Sequence, residues 1–132
     1  MSRKLLNESI SLIIDRFPDV MGIYLFGSYG TLNETKTSDL DLAILFKKSP
    51  NNVELWNFSQ EIASLINREV DLVDLNRASL VFQFQVLTTG KRVYCKDENA
   101  CEQFEGKVWP MYIRFNEERK DILDDLNKRY TT

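Results

Sequence analysis

Hydrophobic residues recur along the chain at spacings that predict an alternation of helices and short strands. Apolar positions three and four residues apart predict helices over 2–16, 53–68 and 78–89, and a long C-terminal helix from about residue 97 with a kink or break at Pro110. Short apolar runs predict strands over 20–26, 39–46, 70–75 and 92–95. This order predicts an α/β (α+β) fold, in which helices pack on a small mixed sheet.

Length and charge limit the classes of protein to consider. The 132 residues are 43% hydrophobic, which suits one domain over 1–132 with a single core. The formal net charge is −3, so we expect no direct binding of nucleic acid. No apolar run approaches the ~18 residues that a membrane span needs, so we expect no membrane association and a cytoplasmic location.

The chain contains no histidine, and this narrows its possible chemistry. Serine–histidine triads, cysteine–histidine pairs and histidine-ligated zinc are all excluded. Cys95 and Cys101 are too few for a zinc ribbon, and in a cytoplasmic protein we expect them to be ordinary thiols. Any catalysis must therefore use carboxylates, hydroxyls, amines or the backbone.

Acidic residues open two of the predicted strands. Asp39 and Asp41 are two residues apart and point to the same side, and Asp71 lies near the start of the next strand. If the two strands are neighbours, the three carboxylates converge and need cations, for which Mg²⁺ or Mn²⁺ is suited. Two such ions about 3.5–4 Å apart can clamp the oxygens of a phosphoryl transfer. Asp74 faces away from Asp71, and we assign it a capping or turn role.

Gly27 and Ser28 end the first predicted strand and offer a place for phosphate. Glycine lets the backbone turn tightly, and the serine hydroxyl and nearby amides can donate to phosphate oxygens. A lone Gly-Ser pair or a lone Asp-x-Asp is more often structural than catalytic. Their combination with a third acid favours a site for a metal-bound nucleoside triphosphate.

The spacing of these motifs resembles that of a known family. Gly27-Ser28, ten intervening residues and Asp39-Leu40-Asp41 match the pattern Gly-Ser-x10-Asp-x-Asp without a gap. The chain thus resembles the minimal nucleotidyltransferases of the DNA polymerase β superfamily, and most of all the MNT antitoxins encoded beside HEPN-domain toxins. The resemblance implies a polymerase β-like nucleotidyltransferase fold.

The resemblance also implies a role for each matching residue. Gly27 and Ser28 would hold the β- and γ-phosphates of ATP, while Asp39, Asp41 and Asp71 would bind two Mg²⁺ ions. Asp71 would lie nearest the attacking hydroxyl. The implied reaction is AMP transfer from ATP to a tyrosine hydroxyl of a partner HEPN ribonuclease toxin, which neutralises that toxin.

The chain departs from the family pattern at Thr31 and Leu32, where many relatives carry Arg-Gly. A loop cation that would contact the triphosphate is therefore absent at this point. Two other functions stay open: a nucleotidyltransferase acting on a small molecule such as an aminoglycoside, and a non-catalytic antitoxin that acts by binding alone. The sequence leaves open the acceptor residue, the number of AMP units, the stoichiometry and the partner-binding surface.

Overall fold

The computed structural model describes residues 2–27 and 39–130, and this part of the chain contains four helices and four strands. The elements, in chain order, are α1 (Ser2–Arg16), β1 (Val20–Phe26), β2 (Leu40–Phe46), α2 (Asn52–Ile66), β3 (Val70–Asp74), α3 (Leu80–Thr89), β4 (Lys91–Cys95) and α4 (Glu98–Tyr130). None of the helices in these ranges is both long and apolar enough to span a membrane.

The four strands form one mixed sheet in the order β3-β2-β1-β4. β1 is antiparallel to β2 and β4, whereas β2 and β3 are parallel and joined through α2. β2 and β3 therefore begin at the same end of the sheet, and β1 finishes there. The predicted small mixed sheet with packed helices is confirmed.

Helices cover both faces of the sheet. α1 and α2 contribute Ile13 and Ile62 to the core on one face, and α3 contributes Val86 to the core on the other, with Phe104 of α4 packed against it. β2 alternates between the two cores. Leu40, Leu42 and Ile44 point toward α1 and α2, whereas Ala43 and Leu45 point toward α3 and α4. Because side chains alternate along a strand, Asp41 points to the α3 and α4 side.

α4 begins by packing on the sheet and then continues beyond it. The Tyr24 hydroxyl of β1 donates a hydrogen bond to Glu105 of α4 over 3.2 Å, and Arg92 of β4 donates to the same carboxylate over 2.9 Å. Burial and the neighbouring Glu105 raise the pKa of Tyr24, so this hydroxyl keeps its proton. The helix runs unbroken through Pro110, so a break there is wrong, and the alternative of a kink stays a prediction. A proline removes one backbone donor, and the neighbouring turns still support the helix.

Cys95 and Cys101 are joined as a disulfide, so the expectation of ordinary free thiols is wrong. Cys95 is the last residue of β4, and Cys101 lies in the first turns of α4, where it is fully buried. The short connection between the strand and the helix brings the two Cα atoms within 6.7 Å. Sequence spacing alone does not reveal the disulfide, because the distance between the two cysteines depends on the angle at which α4 leaves the sheet.

Candidate active site

The three predicted carboxylates share one cleft at the end of the sheet where β2 and β3 begin. Asp41 and Asp71 are paired residues of these parallel strands, and Asp39 directly precedes β2. The cleft has a volume of about 420 Å³. Its lining comprises Asp39, Asp41, Gln60, Ala63, Arg68, Glu69, Val70 and Asp71.

Burial and two negative neighbours both act on the Asp41 carboxylate. Its pKa is raised above the ordinary value, first by burial and then by the negative charges of Asp71 and Asp39. Uncompensated carboxylates of this kind favour a bound cation, and their hard oxygens suit Mg²⁺ or Mn²⁺. Within residues 2–27 and 39–130, no group of three or more acidic, cysteine or histidine side chains is already arranged to hold a metal ion. The structure thus supplies a shared cleft with charged walls rather than a closed cage.

Gly27 brings the backbone after β1 directly against this cluster. β1 ends at Phe26, which pairs with Asp41 across the sheet. Gly27 follows with a φ of 81°, a conformation that side chains other than glycine rarely adopt. A methyl group in place of its hydrogen would overlap the Asp41 carboxylate. Ser28, the second residue of the predicted phosphate-binding pair, lies outside the described residues, as do Thr31 and Leu32.

Arg68 and Glu69, which follow α2, and Gln60 within α2 also line the cleft, and the sequence did not predict them. Asn67 ends α2 in the left-handed conformation, and the carbonyl of Glu69 accepts a hydrogen bond from the Leu40 backbone over 2.8 Å. This link fixes the entry to β3 beside the entry to β2, and Arg68 and Glu69 therefore lie at the cleft. Their position just before Asp71 is a signal that could have identified them. Gln60 lies within α2 and has no comparable signal in the sequence.

Asp74 lies away from the cleft, and its predicted turn role is confirmed. The side chain is buried, and its Oδ1 accepts a hydrogen bond from the Asn76 backbone over 2.9 Å. Arg77 Nε lies 3.6 Å from Oδ2, which is an ion pair but too long for a hydrogen bond. Asn76 in turn bonds the backbone of Phe46, the last residue of β2. Asp74 thus supports the turn that ends β3.

Comparison with known proteins places this geometry among nucleotidyltransferases. Residues 8–99 match the protein family described as polymerase beta, nucleotidyltransferase. The chain is 38% identical to the protein adenylyltransferase MntA of Shewanella oneidensis, over 91% of this chain and 86% of that protein. It is 26% identical to the protein adenylyltransferase MntA of Aphanizomenon flos-aquae, over 92% of this chain and 87% of that protein.

Solved structures of toxin–antitoxin complexes resemble the whole fold. One is a toxin–antitoxin crystal structure with AMP-PNP, matched with a TM-score of 0.81 and 38% identity over 91% of this chain and 96% of that chain. Another is a tri-AMPylated HEPN toxin of Shewanella oneidensis in complex with an MNT antitoxin. It is matched with a TM-score of 0.80 and 36% identity over 96% of this chain and 98% of that chain.

Proposed function

Because this chain belongs to the polymerase beta family of nucleotidyltransferases, we propose that it is an antitoxin that adenylylates its toxin. It transfers AMP from ATP to a tyrosine hydroxyl of a partner HEPN ribonuclease toxin and thereby neutralises it. The relatives named protein adenylyltransferase and the complex with a tri-AMPylated HEPN toxin support this assignment. The observation in the structure that carries it is the pairing of Asp41 with Asp71 beside Gly27.

The proposed site divides into a phosphate side and an acceptor side. Gly27 and Ser28 hold the β- and γ-phosphates of ATP, because the backbone at Gly27 can approach a ligand without a side chain in the way. Asp41 lies next to this turn, and Asp39 and Asp41 would face the α-phosphate. Asp71, on the neighbouring strand, faces the incoming tyrosine hydroxyl.

The carboxylates of Asp39, Asp41 and Asp71 would hold two Mg²⁺ ions, or Mn²⁺ in their place. The raised pKa of Asp41 supports this fit because it arises first from burial and then from the charges of Asp71 and Asp39, and a bound cation would favour the charged form. When bound, such ions neutralise the triphosphate and lower the pKa of the acceptor hydroxyl.

The protein's own residues would then position the reactants and move one proton. The tyrosine oxygen attacks the α-phosphorus of ATP, the new O–P bond forms, and pyrophosphate leaves with the electrons of the broken P–O bond. Asp71 accepts the hydroxyl proton as general base, which suits a chain without histidine. Most of the acceleration would come from positioning and charge neutralisation.

We further propose that residues 1–132 form one nucleotidyltransferase domain that includes the long C-terminal helix. Its ATP donor is abundant in the cytoplasm, which we propose as its location. No direct contact with nucleic acid is required, since the acceptor is a protein hydroxyl.

A labelling assay tests the proposal. The protein is incubated with Mg²⁺, α-labelled ATP and the HEPN-family toxin encoded beside it, and the expected result is label on the toxin. Asp39→Ala and Asp41→Ala should abolish the label, whereas Asp15→Ala, an exposed acid on α1, should not. Toxin neutralisation that survives both active-site changes would instead indicate an antitoxin that acts by binding alone. Label found only on a small hydroxylated compound would indicate the small-molecule enzyme.

A further inference from the structure

The candidate active-site cleft has one wall that the proposed chemistry does not use. Gln60 and Ala63 of α2 line it, together with Val70 at the start of β3, and we call these three residues the α2 wall. Gln60 and Ala63 are three residues apart, so their side chains are neighbours on one face of the helix. The proposed chemistry involves the carboxylates and the turn after β1, which leaves the α2 wall for another part of a substrate.

The α2 wall combines a small apolar surface with one amide. Ala63 is half-buried and Val70 is buried, and both have short side chains that leave room in the cleft. Val70 and Asp71 are consecutive residues of β3 and point to opposite faces of the sheet, so the apolar surface is separated from the carboxylates. Gln60 is exposed, so its amide is accessible to a ligand in the cleft. This combination suits a neutral heteroaromatic ring better than it suits a phosphate.

Hydrogen-bonding capacity distinguishes Gln60 from the other residues that line the cleft. The four carboxylates of the lining accept hydrogen bonds but do not donate when ionised, and its guanidinium donates but does not accept. The side chains of Ala63 and Val70 do neither. Among the described residues that line the cleft, Gln60 therefore has the one side chain that offers a donor beside an acceptor. One edge of adenine is complementary to it, because the 6-amino group donates and N7 accepts.

We propose that Gln60 binds the adenine base of ATP and makes the enzyme selective for ATP, an inference that rests on the proposed function. Gln60 Oε1 accepts from the 6-amino group and Nε2 donates to N7, the bidentate pairing by which glutamine recognises adenine in nucleic acids. The ring packs against Ala63 and Val70. The cleft volume of about 420 Å³ lies within the range of about 300–1,000 Å³ that is usual for ligand pockets. Because the base is neutral, it adds no negative charge beside the carboxylates.

A double-mutant cycle between the protein and the nucleotide tests this pairing without the toxin. The Kd is measured in Mg²⁺ for ATP and for the ATP analogue that lacks the 6-amino group. The wild type should bind ATP about fivefold or more tightly than the analogue, whereas Gln60→Leu, which removes the amide, should bind the two equally. Gln85→Leu is the matched control, because Gln85 is likewise exposed but lies on α3 and not at the cleft. It should keep the wild-type preference, and circular dichroism verifies that both variants are folded.

Rates of toxin labelling extend the test to selectivity during the reaction. Guanine presents two acceptors where adenine presents the 6-amino group and N7, so it lacks the donor that Gln60 Oε1 requires. The ratio of kcat/KM for ATP to kcat/KM for GTP should therefore fall about fivefold or more in Gln60→Leu. The KM for the toxin should stay unchanged, because the amide contacts the donor nucleotide and not the acceptor.

The outcomes separate this inference from the proposed function. A preference for ATP that disappears in Gln60→Leu, in a wild type that never labels the toxin, overturns the proposed transfer and leaves the base assignment standing. Normal labelling of the toxin by a wild type that binds ATP and the analogue equally overturns the base assignment alone. The same holds if folded Gln60→Leu keeps the full preference for ATP. A raised KM for the toxin with an unchanged preference would place the acceptor tyrosine at the α2 wall, which also overturns the inference.

Discussion

The Cα of Gly27 lies so close to the Asp41 carboxylate that a methyl group at Gly27 would overlap it. Two elements produce this contact. β1 and β2 are paired up to Phe26 and Asp41, and the backbone then turns at Gly27 with a φ of 81°. The proposed phosphate-binding turn thus lies beside the proposed metal ligand, and a side chain at position 27 would displace the Asp41 carboxylate.

We expect Gly27→Ala to reduce AMP transfer about a hundredfold, because a displacement of about 1 Å in a catalytic group can cost that much. The positive φ adds a backbone penalty of about 1–2 kcal/mol to the free energy of folding. Initial rates of labelling and urea unfolding measure the two effects. Gly106→Ala is the matched control, since the space around Gly106 is open and the residue lies within α4. It should leave the rate unchanged and raise stability by about 0.5–1 kcal/mol. Full activity in Gly27→Ala would contradict the contact described here.

The sequence predicted this end of the sheet for a physical reason. Short apolar runs locate the strands, and alternation along a strand predicts Asp39 and Asp41 on one side; both do line one cleft, although Asp39 lies just before β2. The meeting of Asp41 with Asp71 depended on β2 and β3 being neighbours, which the spacing did not decide. In the structure β2 and β3 are parallel neighbours connected by α2, so both strands start at the same end of the sheet.

Features that depend on how helices pack were not predictable in the same way. Gln60 reaches the cleft only because α2 crosses the sheet at a particular angle, and the Cys95–Cys101 disulfide depends on the direction in which α4 leaves β4. The predicted break at Pro110 relied on local propensity. In the structure α4 continues through Pro110. Val108 before the proline is buried, and Tyr112 after it stacks on Phe84 of α3.

Substitutions of the two acidic residues of β3 should have different effects, one mainly on catalysis and the other mainly on stability. Asp71 is exposed at the cleft, so Asp71→Asn should lower AMP transfer about a hundredfold or more and change stability by less than about 0.5 kcal/mol. Asp74 is buried and accepts the Asn76 N–H, so Asp74→Ala should cost about 1–3 kcal/mol. Asp74→Asn keeps one acceptor oxygen and should cost less. Labelling rates and chemical unfolding of the three variants test this, and equal loss of activity in Asp71→Asn and Asp74→Asn would contradict it.

The raised pKa of Asp41 predicts a pH dependence of stability without metal. The folded protein holds this proton more tightly than the unfolded chain, whose ordinary value is 3.8. Above that pH the unfolded chain loses the proton first, so the stability of the wild type falls as pH rises through the folded pKa. Asp41→Asn carries no such charge and should become more stable than the wild type over this interval. Urea unfolding in EDTA from pH 4 to 7 measures the difference, and a difference that stays flat or shrinks with rising pH would overturn the assignment.

A divalent ion should restore the stability that the wild type loses when Asp41 becomes charged. This effect tests the metal site independently of activity. Binding to the folded protein raises the free energy of unfolding by RT ln(1 + [Mg²⁺]/Kd), so the unfolding midpoint of the wild type should rise with Mg²⁺ or Mn²⁺ concentration. Asp41→Asn should show a smaller rise because it removes a charged ligand, and Asp15→Asn, on the exposed side of α1, should respond like the wild type. AMP transfer should stop in EDTA and return when either ion is added in excess. An equal rise in all three proteins would indicate screening of surface charge rather than binding in the cleft, because a site that includes Asp41 must lose affinity when that carboxylate is neutralised.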